Sequence, residues 1–267
     1  MTAVGLRPSI TLAIAYVRKL LSDPRLAPSI EVEGNPFYLD PSTDIGHSLL
    51  TSGGFEEHEI TACRKYIRND GIVLDIGANI GLHSVHFARV AEFGKVISVE
   101  ASRSTFATLL RNTVSFPNVI PLNVALSDTN GTQTFYVARD NAYSGLKNTR
   151  RKPIVHTEQV ACYSGDHILA PLIQDSKVDL IKIDVEGHET QVLAGLKAII
   201  SKHKPVIFCE IFGGEHSNAD PQATIQFCVG LGYIPYVLDG GSLILAARHD
   251  DRRYNYFFVP SPIDVRY

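Results

Sequence analysis

Residues 71–81 read GIVLDIGANIG. The first part, 72–76, is short, apolar and strand-like. A turn with Gly77, Asn79 and Gly81 follows, and then a helix-period pattern. The next apolar run, 95–100, closes on Glu100. Strand, glycine turn, helix, strand and acid, in that order, is the layout of a nucleoside site at the carboxyl end of a parallel sheet.

The bulk properties suit such a fold. A chain of 267 residues with 45% hydrophobic and 20% charged residues is long enough for one enlarged α/β domain with a substantial core. A formal net charge of −3 gives no general pull toward nucleic acid or an anionic membrane. Cys63, Cys162, Cys209 and Cys228 are scattered, with no Cys-x-x-Cys pair. Reduced cysteines in a cytoplasmic protein are therefore expected, rather than a disulfide framework or a zinc ribbon. Residues 10–21 are apolar but interrupted by Arg18 and Lys19, and too short to span a bilayer. They read as an amphipathic helix packing on the domain or on a partner.

Residues 1–70 read as an accessory region packed on the core, and residues 71–267 as the domain carrying the site. In the first region, residues 31–32 and 37–39 flank Gly34-Asn35-Pro36, a hairpin signal, and 55–67 has helical spacing. From 71 onward strands are expected at 72–76, 95–100, 119–126, 178–184 and 205–211, with extra extended segments at 132–137 and 157–163. Helices are expected at 80–91, 102–115, 189–200 and 221–231. Three closing strands, the last ones antiparallel, are expected at 233–238, 243–246 and 256–259. Alternating βαβ units of this kind predict a doubly wound, mostly parallel sheet with helices on both faces.

A dinucleotide fingerprint needs Gly-x-Gly-x-x-Gly, so that a pyrophosphate rests on backbone amides. Here the turn is Gly77-Ala78-Asn79-Ile80-Gly81, preceded by Asp75. A carboxylate at that place would repel pyrophosphate and favour an ammonium or sulfonium group. S-adenosylmethionine carries both and has no phosphate. Glu100 is placed to take both ribose hydroxyls through its two oxygens. Further on, Ser127 or Asp128 would meet the adenine amino group, or else simply form a turn.

VLDIGANIGLHS, VEA, NVALSD, DLIKIDVEGHE and YNYFFVP, in this order, resemble the FkbM-type family of S-adenosylmethionine-dependent methyltransferases. The resemblance covers roughly residues 50–260. It implies a Rossmann-like class I methyltransferase fold, with a seven-stranded sheet ending in an antiparallel strand, behind an N-terminal helical and hairpin extension. It also adds Ala101, beside Glu100, and Glu56, from an aromatic–Glu pair matched by Phe55-Glu56, to the cofactor residues. The acceptors it implies are hydroxyls on sugars, glycans or secondary metabolites. Two departures stand out: Ser164-Gly165-Asp166 replaces the family's Thr-Leu-Asp, and residues 1–50 match no part of the pattern.

Methyl transfer from a sulfonium is an in-line displacement, dominated by alignment and helped by a base near the acceptor hydroxyl. Residues 182–188, KIDVEGH, supply such groups. Asp184, which also borders the cofactor, is the first choice for general base, with Glu186 next. Lys182 would hold a carboxylate or donate to the acceptor, or else brace the sheet in a buried ion pair. His188 would act as a base near neutral pH or start the next helix. Glu210 ends another strand at the same edge and joins Tyr143 and Ser144 as acceptor contacts. No metal-specific spacing is present, so no divalent ion is expected; Asp184, Glu186 and Glu210 would supply its oxygens if one bound.

Residues 139–152 hold Arg139, Lys147, Arg150, Arg151 and Lys152. This segment would cover the acceptor or grip a phosphate on a nucleotide-sugar or lipid carrier, or lie solvated and mobile. The solvated reading is preferred, with residues 141–145 the part expected to reach the site. The function expected is O-methylation of a small-molecule or glycan acceptor, with no nucleic-acid partner. The alternatives are a non-catalytic cofactor-binding scaffold and, with less support, a nucleic-acid methyltransferase. Oligomeric state is left open, a homodimer included.

Overall fold

The computed structural model describes residues 28–246 and 248–261; the helix expected at 10–21 lies outside them. A hairpin of β1 (Ser29–Val32) and β2 (Asn35–Tyr38) precedes helices α1 (Asp44–Thr51) and α2 (Glu57–Arg64). The alternating core follows as β3 (Ile72–Ile76), α3 (Leu82–Val90), β4 (Lys95–Val99), α4 (Arg103–Thr113) and β5 (Val119–Leu122). A satellite segment supplies β6 (Ala125–Ser127), β7 (Gly131–Ala138) and β8 (Ile154–Ser164), with a 3-10 turn at Asn141–Tyr143. Next come α5 (Gly165–Ile173), β9 (Val178–Ile183), α6 (Glu189–Gly195), α7 (Lys197–His203) and β10 (Val206–Glu210). The last elements are α8 (Pro221–Gly230), β11 (Tyr233–Asp239), β12 (Ser242–Leu245) and β13 (Asn255–Pro260).

The main sheet runs β12-β11-β13-β10-β9-β3-β4-β5. β10, β9, β3, β4 and β5 pair in parallel, and β13 enters antiparallel between β10 and β11. Strand order reverses between β3 and β9, so a crevice opens above their carboxyl ends, where doubly wound sheets bind ligands. Alternation along β3 sends neighbouring residues to opposite faces. Val73 joins an apolar layer with Phe37, Ile45, Leu49, Val85 and Phe257, whereas Leu74 joins one with Ile97, Ile181, Leu193 and Tyr256. Residues ahead of 71 are thus part of one core face.

Four expectations need correction. The sheet has eight strands rather than seven, because β12 folds back on β11 as an added edge. The strand expected at 119–126 is two strands in two sheets, β5 in the main sheet and β6 in a three-stranded sheet ordered β6-β8-β7. Its cause is local: Asn123 turns the chain by donating to the carbonyls of Glu100 (2.8 Å) and Ala101 (3.0 Å). The helix expected at 189–200 breaks at Leu196 into α6 and α7. There the Asp166 carboxylate accepts the amides of Ala198 (2.8 Å) and Ile199 (2.9 Å) and so caps α7. Gly195, just before the break, packs so tightly on the Ser127 carbonyl that a Cβ would collide with it. Finally, α1 and α5 had no counterpart in the sequence reading, although Thr43 caps α1 by accepting from the Gly46 amide at 3.1 Å.

Asp166→Ala should therefore lower stability by about 0.5–2 kcal/mol, the usual worth of a helix cap. The denaturation midpoint in urea, at unchanged slope, would measure it.

Candidate functional site

Gly77 begins the turn that closes β3. Its φ is +74°, and a Cβ there would strike the Asp184 carbonyl, so the turn passes directly against the end of β9. The amides of Gly77 and Ala78 both donate to the Val99 carbonyl at 2.9 Å. The Asn79 amide donates to Glu100 Oε2 at 3.0 Å, and that of Gly81 to the Ala78 carbonyl at 2.9 Å. All four amides are occupied inside the fold, which leaves the turn unsuited to cradle a phosphate. Ala78 is buried beneath the turn, and Gly81 caps α3 in the left-handed region.

Asp75 has a different place from the one expected. Its carboxylate is fully buried, accepts from the Ser84 hydroxyl at 2.6 Å and lies 3.6 Å from Lys182 Nζ. It braces the floor of the crevice. Lys182, buried in β9, donates to the Gly77 carbonyl (3.0 Å) and to Asp184 (3.2 Å). Burial alone would favour loss of its proton. The carboxylates of Asp184, Asp75 and Glu56 outweigh that and hold the ammonium above the ordinary lysine range. Glu56 sits 3.2 Å from His83 on the same side.

Above the turn lies a cavity bordered by Gly77, Asn79, Glu100, Ala101, Asp184 and His188. Val99, Val124, Phe135 and Leu146 give it apolar walls. Glu100 is buried, and each of its oxygens accepts one amide, from Asn79 at 3.0 Å and Ser102 at 2.8 Å. Burial pushes its pKa up to about 7, against the pull of those two amides. Each oxygen retains a lone pair for a hydroxyl donor.

Ser127 is buried beneath the cavity and gives its single proton to Asp128 at 3.0 Å. It therefore accepts from His188 Nε2, 2.9 Å away. Burial, with Lys147 nearby, lowers the His188 pKa to about 4. His188 precedes the first residue of α6, the helix-start place that the sequence offered beside the role of a base. Glu189, the first residue of α6, accepts from the Gly187 amide at 2.6 Å.

Segment 139–152 is not the mobile loop preferred from sequence. It lies as a strap across the cavity, held by side-chain links to other parts of the fold. Asn141 donates to Asn79 (2.7 Å), Asp140 accepts the Asp44 amide (2.8 Å), Tyr143 donates to Asp44 (2.6 Å) and Arg151 donates to Glu186 (2.9 Å). Asn141, Ser144 and Leu146 line the cavity, whereas the Tyr143 hydroxyl donates to Asp44 at the start of α1. The sequence missed Phe135 and Leu146. The signal for Phe135 was there: it is the first buried apolar residue in a strand that begins exposed.

Asp184, Glu186 and Glu210 gather at the sheet edge, one carboxylate oxygen from each lying within 4.8 Å of the others. Burial and the Asp184 charge push Glu186 up to about 8, and burial with the same neighbours raises Glu210 well above the carboxylate range. The oxygens could encircle a divalent ion, but Lys182 and Arg151 already compensate Asp184 and Glu186. The donor set thus fits proton handling at least as well as metal binding.

Lys182→Met would leave two carboxylates uncompensated beneath the turn, and a loss on the order of 3–5 kcal/mol is expected in chemical denaturation. Glu186 carries a pKa raised to about 8 from 4.5, so the folded state holds its proton more tightly than the unfolded chain. Stability from this group is full below about pH 4.5 and falls as pH rises toward 8. Glu186→Gln should flatten the decline of Tm across that window, as read by calorimetry at stepped pH.

All four cysteines are buried and free, and among the described residues no helix is long and apolar enough to cross a membrane. Known proteins resemble this chain. Hexuronic acid methyltransferase AglP of Haloferax volcanii is 28% identical over 168 residues, covering 62% of this chain and 65% of that protein. Methyltransferase 1 of Beauveria bassiana is 26% identical over 147 residues, covering 48% of this chain and 59% of that protein. The chain thus spans less than two thirds of the length of either relative. The crystal structure of Methyltransferase FkbM from Methylobacillus flagellatus KT superposes at TM-score 0.48 and 16% identity, over 80% of this chain and 52% of that one. The profile of the family described as Methyltransferase FkbM domain matches residues 75–235, a stretch that holds every residue lining the cavity. The chain belongs to the FkbM methyltransferase family.

Proposed function

We propose that this protein transfers a methyl group from S-adenosylmethionine to a hydroxyl of a sugar or glycosylated acceptor. The observation that carries the reading is one cavity that joins a buried carboxylate, Glu100, to a glycine turn whose amides are already occupied. Such a cavity suits a nucleoside without phosphate. Glu100 would hold the ribose hydroxyls, the walls of Val99, Val124 and Phe135 would hold the base, and Gly77, Asn79 and Asp184 would border the amino-acid end. Bound there, S-adenosylmethionine supplies an electrophilic methyl group on a sulfonium. The sugar class draws support from the name of AglP, a hexuronic acid methyltransferase.

The chain's own work is alignment and proton removal. Asp184 is anchored by Lys182, which suits it to orient an acceptor hydroxyl more than to strip it. Glu186, with a pKa near 8, is better matched to take the hydroxyl proton as the new O–C bond forms. Glu210, raised by the same neighbours, can share that proton.

Titration calorimetry with S-adenosylmethionine should show binding by the full chain. Glu100→Ala should weaken it about 10- to 100-fold, the worth of hydrogen bonds to a charged group. Glu186→Gln should keep donor binding and lower kcat by about 10²- to 10⁴-fold. The product should resist mild alkali, as an ether does; an alkali-labile product would place the methyl on a carboxylate. Binding with no turnover of any sugar would favour the scaffold reading, and absence of donor binding would remove both.

A further inference from the structure

We infer that the acceptor carries an anionic oxygen group, a carboxylate or phosphate, and that Arg151, seconded by Arg150, is the specificity residue that reads it. The inference rests on the methyltransferase reading and names its acceptor class.

The Arg151 guanidinium lies 4.0 Å from the centroid of the Phe212 ring and 4.4 Å from that of Tyr143. Two aromatic neighbours restrict its plane, as cation–π contacts do. Toward the interior only Nη1 is used, donating to both Glu186 oxygens at 2.9 and 3.1 Å. Among the described residues, no hydrogen bond involves Nε or Nη2, although the side chain is only 24% exposed. Nε and Nη2 form one side of a planar fork whose spacing matches two oxygens of a carboxylate or phosphate. An arginine that ties the strap through Nη1 and keeps that side of the fork unused has it open to a ligand.

The surroundings continue the pattern. Arg150, Arg151 and Lys152 line one open depression with Asn148, Pro153 and Ile154. Lys152 is partly neutralised by Asp44 at 3.4 Å. Arg150 is exposed at the rim, on a turn fixed by its amide donating to Asn148 Oδ1 at 3.0 Å. Cations therefore stand outside the site, while Asp184, Glu186 and Glu210 stand inside it, and Arg151 touches both zones. An acceptor with its reactive hydroxyl inward and its anionic group outward satisfies the two zones together. The reverse orientation sets like charges against each other.

The test is steady-state methylation by the full chain of three probes: 4-nitrophenyl β-glucuronide, glucose 6-phosphate and the neutral 4-nitrophenyl β-glucoside. The wild-type chain should favour one anionic probe over the neutral one by tenfold or more in kcat/KM. Whether the glucuronide or the phosphate leads distinguishes the two sources of charge. Arg151→Ala should raise KM for the favoured probe about 10- to 100-fold, exceeding any rise for the neutral probe by at least tenfold. Arg151→Lys should recover only part of that loss, since it restores charge without the fork. Arg150→Ala, clear of the Glu186 pair, should raise the same KM several-fold. Equal preference for the neutral glucoside, equal losses on charged and neutral probes, or donor binding without turnover of either anionic probe would overturn the inference. Failure of the wild-type chain to bind S-adenosylmethionine is seen before any acceptor is added, and would overturn the methyltransferase reading beneath it.

Discussion

A single buried ammonium holds the site in register. Lys182 joins the end of β9 to the turn that follows β3, through the Gly77 carbonyl, and stands between Asp75 below and Asp184 above. Gly77 has no Cβ, which is what lets the turn descend onto the Asp184 carbonyl. Without the cation, the two carboxylates would repel each other at the floor of the crevice. Without the close approach, the cation would lack its third partner. Sheet topology puts β3 and β9 side by side, and this contact turns that adjacency into a defined floor.

From that floor upward, charge is sorted by depth. The deepest carboxylates have cationic or hydroxyl partners, as Asp75 does with Lys182 and Ser84. Those at mid-height, Glu100 and Glu186, are desolvated more than they are compensated, and burial raises both pKa values toward neutrality. The outermost layer is basic, along residues 150–152.

Much of this was legible in the chain. The 72–76 strand, the glycine turn and Glu100 announced themselves because period and turn chemistry are local properties. The roles of Asp75 and His188 were not legible. Whether an acid beside a turn faces a ligand or a lysine depends on Lys182, more than a hundred residues away. His188 was ambiguous for the same reason, since Ser127, its partner, arrives from another sheet. The fold of 139–152 was hidden more deeply. Its basic composition suggests solvation, and nothing local indicates that Asp44, Asn79 and Glu186 wait for it. The break after α6 was not legible either, because Asp166, which caps α7, comes from a separate helix.

The strap is rooted in a hairpin. Ala138 on β7 pairs with Ile154 on β8, and the Arg139 amide donates to the Pro153 carbonyl at 2.9 Å. Its two ends are neighbours in an antiparallel ladder, so the segment leaves and rejoins the fold at one point. A connection of that kind can change length or composition while the strands beneath it keep their register. Replacing the outer residues, 147–152, would release Glu186 from Arg151, while Glu100, the glycine turn and the Lys182 floor would stay where the main sheet sets them.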